Sequence, residues 1–152
     1  MTPDSASAAA VWRPIVTEIL RERIGAGERA WLPVRGRSMR PLLSRETRIL
    51  VARATRIRLC DLLAYECEGA VICHRVLVRR GCALLMRADH RGAEAERVLP
   101  AQFVGVVVAL ERAGVVVDLT TRARRALALV AAACSIAAAG WAVTRRRWWR
   151  RS

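Results

Sequence analysis

The feature that most constrains the fold is a series of short apolar or alternating runs between residues 31 and 119. Glycine, proline, serine or charged residues separate each run from the next. Short runs rich in β-branched residues are typical of strands, and their close spacing is typical of an all-β domain. The predicted strands are Trp31–Val34, Arg48–Ala52, Leu62–Tyr65, Ala70–Val78, Ala83–Met86, Phe103–Ala109 and Val115–Leu119. The sequence therefore predicts a mostly β, partly barrel-shaped domain.

The segments on either side of these runs differ from them in character. Residues 11–24 predict a short N-terminal helix, which the glycines at 25 and 27 end. Residues 126–143 carry no charge, and their length is near the short end of the roughly 17–25 residues that a membrane-spanning helix needs. We therefore expect three parts: a helix and lead-in at 1–30, the β domain at 31–119, and a C-terminal transmembrane helix with a basic tail at 120–152.

The charge of the chain favours a membrane surface as a partner. All 27 basic residues are arginine, and the formal net charge is +14, which attracts anionic headgroups. No helix-turn-helix, zinc-finger or aromatic-rich RNA-binding pattern accompanies the arginines, so we expect no nucleic-acid partner. Five arginines and two tryptophans follow residue 143, and three arginines lie just before the segment, at 122, 124 and 125. We expect a single C-terminal span in a bacterial cytoplasmic membrane. The asymmetry favours the C-terminus inside and the β domain outside, and a cytoplasmic β domain on a tail anchor is the alternative. A helix packed on the domain or lying on the bilayer is the alternative.

The cysteines predict neither a metal site nor a disulfide framework. Their number is odd, and no two form a C-x-x-C pair. We expect mostly buried thiols and no metal or cofactor. The five are Cys60, Cys67, Cys73, Cys82 and Cys134.

The first candidate for chemistry is Ser38, which lies in the bend Gly36-Arg37-Ser38-Met39-Arg40-Pro41. A serine hydroxyl is a poor nucleophile until a neighbouring base takes its proton. A bend fixed by glycine and proline can present both the hydroxyl and backbone amides, and those amides could stabilise an oxyanion. A serine in a turn is more often only a turn residue, so the bend alone predicts little.

The candidate base is His74, in the strand-like run Val71–Val78. The chain contains no lysine, so no lysine amine can activate Ser38. Because side chains alternate along a strand, His74 shares a face with Ile72 and Val76, and Cys73 faces the other way. A core histidine bonded to a backbone carbonyl is the alternative reading of His74 by itself.

The third candidate is Asp89, which follows the apolar run ending at Met86 and opens a polar loop. A carboxylate there could orient the histidine and stabilise its protonated form. A turn-capping role is the alternative for Asp89. We expect His90 to be an exposed loop residue without a catalytic role.

The order of these motifs resembles that of the signal peptidase I-like serine peptidases. The similarity covers about residues 31–110: Ser38-Met39, then His74-Arg75-Val76, then Asp89, then Val104–Val107. One branch of that family, found in archaea, the endoplasmic reticulum and some bacteria, uses a histidine in place of the usual lysine. The resemblance implies a signal-peptidase-like β domain in which Ser38, His74 and Asp89 are catalytic.

The chain also departs from the family pattern. Beyond the aspartate that Asp89 matches, the family has further aspartates, where this chain has Glu94, Ala95 and Glu96. Glu94 and Glu96 are thus the alternatives to Asp89 as the orienting acid. Bacterial relatives often carry a serine two residues before the nucleophile, whose hydroxyl helps to bind the oxyanion. That position is Gly36, so the amide of Ser38 would carry more of this role.

The resemblance implies a membrane-associated serine endopeptidase that cuts extended peptides, such as signal or leader peptides, by an acyl-enzyme mechanism. Its partners would be the peptide substrate and, through the C-terminal helix and its Arg/Trp tail, membrane lipids. A catalytically silent β domain that binds peptides or docks a partner is the alternative. The self-cleaving repressors of the wider clan are a weaker match, because roughly 30 leading residues cannot easily hold a DNA-binding domain.

Overall fold

A computed structural model of the chain describes residues 5–40, 42–90 and 92–121, with side chains from Arg13 onward. The predicted transmembrane helix at 126–143 and the basic tail lie outside the described residues. In the part of the chain that is described, no helix is both long and apolar enough to cross a membrane. The elements are α1 (Ser5–Gly25), β1 (Ala30–Pro33), β2 (Thr47–Ala52), β3 (Leu62–Cys67), β4 (Ala70–Arg80), β5 (Ala83–Arg87), β6 (Ala95–Val98), a short 3₁₀ turn (Pro100–Gln102), β7 (Phe103–Arg112) and β8 (Val115–Asp118).

The eight strands form one open, antiparallel sheet, which confirms the mostly β prediction. Its order is β1-β2-β7-β3-β4-β5-β6, and β8 pairs with the second half of β7. The register shifts within the β2–β7, β3–β7 and β4–β5 pairs. Such irregularities are typical of β-bulges, which bend strands and increase their twist.

The two faces of β4 contact different apolar clusters. Val76 packs with Leu63, Met86 and Val98 in one cluster, and Ile72 lies against it. Cys73 lies against the other cluster, which contains Met39 and Leu43 among others. The strand alternation predicted for β4 is therefore confirmed.

Helix α1 packs across the sheet and contacts β7 and β4. Its Ile24 is 1 % exposed and lies over Gly105 of β7. A Cβ at Gly105 would come within 2.5 Å of the carbonyl oxygen of Ala52 and 3.1 Å of the Ile24 side chain. Only glycine therefore lets the helix and two strands approach so closely at this point. At the other end of the contact, the Thr17 hydroxyl donates to the carbonyl of Gly69 at 3.0 Å.

All seven predicted strands are present, and the helix begins earlier than residue 11. The strand that the sequence analysis missed is β6, Ala95-Glu96-Arg97-Val98. Two charged residues occupy its centre, so it contains no apolar run. Because β6 lies at the end of the sheet, one of its edges is unpaired and tolerates charge.

Candidate active site

Ser38 lies in a tight turn between β1 and β2, and its neighbour fixes it there. Met39 is 3 % exposed and belongs to the apolar cluster beneath the turn. The amide of Arg40 donates to the carbonyl of Arg37, and the amide of Leu43 donates to that of Met39. With Met39 buried, the half-exposed Ser38 is left on the outer side of the turn.

His74 lies on β4, with its side chain 13 % exposed. Its register partner on β3 is Leu63, and Tyr65 pairs with Ile72. Directly opposed residues of antiparallel strands share a face, so Tyr65 is a diagonal neighbour of His74. The imidazole thus stands on the same face as the apolar cluster around Val76, at the border of that cluster.

The structure brings the predicted nucleophile and base together. Nε2 of His74 lies 3.3 Å from Oγ of Ser38. This distance is slightly longer than the roughly 2.6–3.2 Å of an ordinary serine–histidine hydrogen bond. If Nε2 carries its lone pair toward Ser38, it can accept the hydroxyl proton.

Glu96 of β6 occupies the other side of the imidazole. Its Oε1 contacts Nδ1 of His74, and the Glu96 side chain is 38 % exposed. Glu96 pairs with Met86 on β5, and Met86 pairs with Val76 on β4. This row of opposed residues puts Glu96 on the same face as His74, two strands away.

Tyr65 completes the group, and the sequence analysis did not single it out. Its hydroxyl lies 2.5 Å from Oε1 of Glu96 and 2.8 Å from Nδ1 of His74. Burial, followed by the hydrogen bond to Glu96 and the charge of Glu96, raises the pKa of Tyr65 far above its ordinary value. The phenol therefore stays protonated and can donate a hydrogen bond to the Glu96 carboxylate. In the sequence, Tyr65 is distinguished only as the chain's single tyrosine. In the sheet it lies two residues along β3 from Leu63, the register partner of His74.

Asp89 contacts Arg75 and not His74, contrary to the prediction from the sequence. Its two carboxylate oxygens accept from Nε and Nη2 of Arg75 at 2.8 and 2.6 Å. The register explains this placement: Arg87, the last residue of β5, pairs with Arg75 and not with His74, so the loop leaves the sheet beside the arginine. Arg75 also donates to the carbonyl of Cys60 at 3.0 Å. The carboxylate at Nδ1 of His74 belongs to Glu96, one of the two alternatives that the sequence left open; the other, Glu94, is exposed.

The Arg75–Asp89 pair is largely buried, with side chains 6 % and 15 % exposed. Burial by itself would lower the pKa of Arg75, but the hydrogen bonds and charge of Asp89 outweigh it and raise that pKa. A buried ion pair of this kind is costly to break, because the remaining charge has no partner. Asp89 therefore has a structural contact that accounts for its carboxylate.

His90 touches the nucleophile turn, which the sequence analysis did not foresee. Its backbone amide donates to the carbonyl oxygen of Ser38 at 3.0 Å, and its Nδ1 lies 3.1 Å from the same oxygen. The loop after β5 is thereby tied to the turn that carries Ser38. His90 is exposed, as expected, but it contacts the backbone of Ser38.

The backbone amide of Ser38 is the candidate donor to an oxyanion. Among the residues that the structure describes, none accepts a hydrogen bond from the amide of Ser38. A Cβ at Gly36 would lie 3.8 Å from Oγ of Ser38 and 4.0 Å from its amide, with no closer atom. Gly36 therefore adds no side chain beside this amide.

The arrangement as a whole can support nucleophilic acyl transfer. It has a hydroxyl, a histidine in contact with it, a carboxylate on the far side of that histidine, and a candidate oxyanion donor in the amide of Ser38. Within the described ranges no three His, Cys, Asp or Glu side chains are placed to hold a metal ion. No family model and no curated protein matches this chain.

Proposed function

We propose that the protein is a serine endopeptidase of the signal peptidase-like, histidine-dependent class. The observation that carries the proposal is the hydrogen-bonded series Ser38–His74–Glu96, with 3.3 Å between Oγ and Nε2. Ser38 and His74 come from sequence motifs 36 residues apart, and their side chains meet in the fold. The open β sheet and the buried Met39 beside Ser38 are consistent with the partly barrel-shaped domain of that class.

The proposed mechanism is acyl transfer through an ester on Ser38. Nε2 of His74 takes the proton of Ser38 as Oγ forms a bond to the scissile carbonyl carbon. The oxyanion accepts a hydrogen bond from the amide of Ser38. His74 then gives its proton to the leaving amine as the C–N bond breaks. A water molecule, deprotonated by His74, attacks the ester and releases the acid and Ser38. Glu96 holds the imidazole and stabilises its charged form throughout.

The substrate class follows from the resemblance: extended peptides cut after small residues, such as signal or leader peptides. The experiment is cleavage of a quenched fluorogenic peptide with alanines before the scissile bond, by the full chain in detergent micelles. Ser38→Ala and His74→Ala should each reduce cleavage to background while the circular dichroism spectrum stays unchanged. Ser44→Ala is the matched control, because its hydroxyl contacts only the turn around Thr47, and it should cleave normally.

The result separates the proposal from its alternative. A catalytically silent peptide-binding domain would bind the peptide without cutting it, and the three variants would then be indistinguishable from the wild type. Cleavage that survives Ser38→Ala in purified protein contradicts the assignment of the nucleophile.

Membrane attachment through residues 126–143 is part of the same proposal. The uncharged stretch and the arginines that follow it support a single span with its C-terminus inside. A reporter that is active only in the cytoplasm, fused after Ser152, should be active, and a periplasmic reporter at the same place should be silent. The reverse pattern contradicts the proposed orientation.

A further inference from the structure

Three polar atoms meet at a single point beside the candidate base. The hydroxyl of Tyr65 lies 2.8 Å from Nδ1 of His74, and both atoms contact the same oxygen, Oε1 of Glu96. The two rings are tilted by 57° with their centroids 5.8 Å apart. Tyr65 is 1 % exposed, so water does not compete for its hydroxyl. The proposed mechanism makes no use of this phenol.

While Glu96 is a carboxylate and the imidazole is neutral, one arrangement of the protons satisfies both contacts to Oε1 of Glu96. An ionised carboxylate only accepts hydrogen bonds, whereas a neutral imidazole has one donor and one acceptor nitrogen. Tyr65 O–H and Nδ1–H therefore both donate to Oε1 of Glu96. Nδ1 then carries the proton, and Nε2 turns its lone pair to Ser38. This is the tautomer that a general base requires.

A second arrangement becomes available when the carboxylate is removed. The phenol then has Nδ1 of His74 as its nearest acceptor, at 2.8 Å. If Tyr65 donates to Nδ1, the imidazole proton must be on Nε2. Nε2–H would donate to Oγ of Ser38 and could not accept its proton, so the site would be held in the wrong tautomer.

We propose that Tyr65 is a positioning residue that couples the tautomer of His74 to Glu96: it restrains the carboxylate while Glu96 is present, and it blocks the base when Glu96 is absent. The inference rests on the proposed function for its kinetic consequence. Its structural consequence, the tautomer of His74, does not depend on any particular substrate.

The kinetic test compares the wild type with Tyr65→Phe, Glu96→Ala and the double variant in peptide cleavage. Tyr65→Phe keeps the ring in its apolar cluster and should lower kcat about tenfold, as expected from one lost bond to a charged group. In the Glu96→Ala background the sign should reverse. The double variant should be several-fold faster than Glu96→Ala, because the phenol no longer holds Nδ1.

The reversal of sign is the readout that a merely structural role would not produce. If Tyr65→Phe slows Glu96→Ala by the same factor as it slows the wild type, Tyr65 only supports the fold and the inference is wrong. Thermal unfolding of all four proteins checks that each is folded at the assay temperature.

The second test reads the tautomer directly, from the ¹⁵N chemical shifts of the two imidazole nitrogens in labelled protein above pH 8. His74 should carry its proton on Nδ1 in the wild type and on Nε2 in Glu96→Ala. His90 is the internal reference, and His74→Ala assigns the signals. An Nδ1–H tautomer that persists in Glu96→Ala overturns the inference even if Tyr65→Phe does not fold. The ¹⁵N measurement needs no turnover, so it tests the tautomer of His74 even if the protein cleaves no peptide.

Discussion

Replacing Glu96 by glutamine keeps the shape of the side chain and removes its charge. In the serine-protease triad the corresponding change lowers turnover about 10⁴-fold. The Glu96 side chain is 38 % exposed, so water screens part of its charge, and the loss should be smaller. We expect kcat to fall about 10²- to 10³-fold, which corresponds to about 3–4 kcal/mol of transition-state stabilisation.

Asp89→Asn is the matched control, because it makes the same chemical change on the carboxylate that contacts Arg75. Leaving that buried guanidinium without a counter-charge should lower the free energy of unfolding by about 3–5 kcal/mol. Turnover for each folded molecule should change less than tenfold. The assay is peptide cleavage normalised to the folded fraction, with urea denaturation of both variants. A large loss of kcat in Asp89→Asn, together with near-normal kcat in Glu96→Gln, would refute the reasoning.

Three further results are expected. Gly36→Ser places a hydroxyl beside the amide of Ser38 and should raise kcat about tenfold by adding an oxyanion donor; Gly36→Ala, the control, should bring no gain. His90→Ala should slow cleavage several-fold, because its side-chain contact to the Ser38 carbonyl is lost while its backbone bond remains; His90→Asn, which can donate from a similar point, should recover most of the rate. Burial raises the pKa of the Cys73 thiol from 9.0 to about 12. The native state therefore binds more protons than the unfolded state between those values, and the free energy of unfolding falls as the pH rises through this range. Urea denaturation at several alkaline pH values should give a shallower decline for Cys73→Ala; an unchanged slope contradicts this assignment.

Local pattern was sufficient for most of the sheet. A continuous apolar run such as Phe103–Ala109 indicates a strand that is buried on both faces, and an alternating run indicates a strand that is buried on one face. Both patterns are visible in the sequence. The same reasoning placed His74 and Cys73 on opposite faces of β4, and the two apolar clusters confirm it. The contact between Ser38 and His74 came from the order of motifs and not from local pattern, because it joins a turn to a strand far along the chain.

The orienting carboxylate could not be chosen by pattern. Asp89 is nearer to β4 in sequence and follows an apolar strand, but the register of β5 sets it against Arg75. Glu96 reaches His74 only because β6 adds a further strand beyond β5. The charged centre of β6 conceals this strand from a search for apolar runs. The strand was therefore missed, and for the same reason Asp89 was preferred to Glu96.

The most direct test of the Ser38–His74 assignment is the site of phosphonylation by an alkyl fluorophosphonate, labelled on the intact, folded chain and mapped by peptide mass spectrometry. We expect one adduct, on Ser38. It should form at least a hundredfold more slowly in His74→Ala, since phosphonylation needs the same base. Ser44, whose hydroxyl contacts Thr47 at 3.3 Å, should remain unmodified. An unmodified Ser38, or an adduct that forms equally fast in His74→Ala, would contradict the roles of Ser38 as nucleophile and His74 as base.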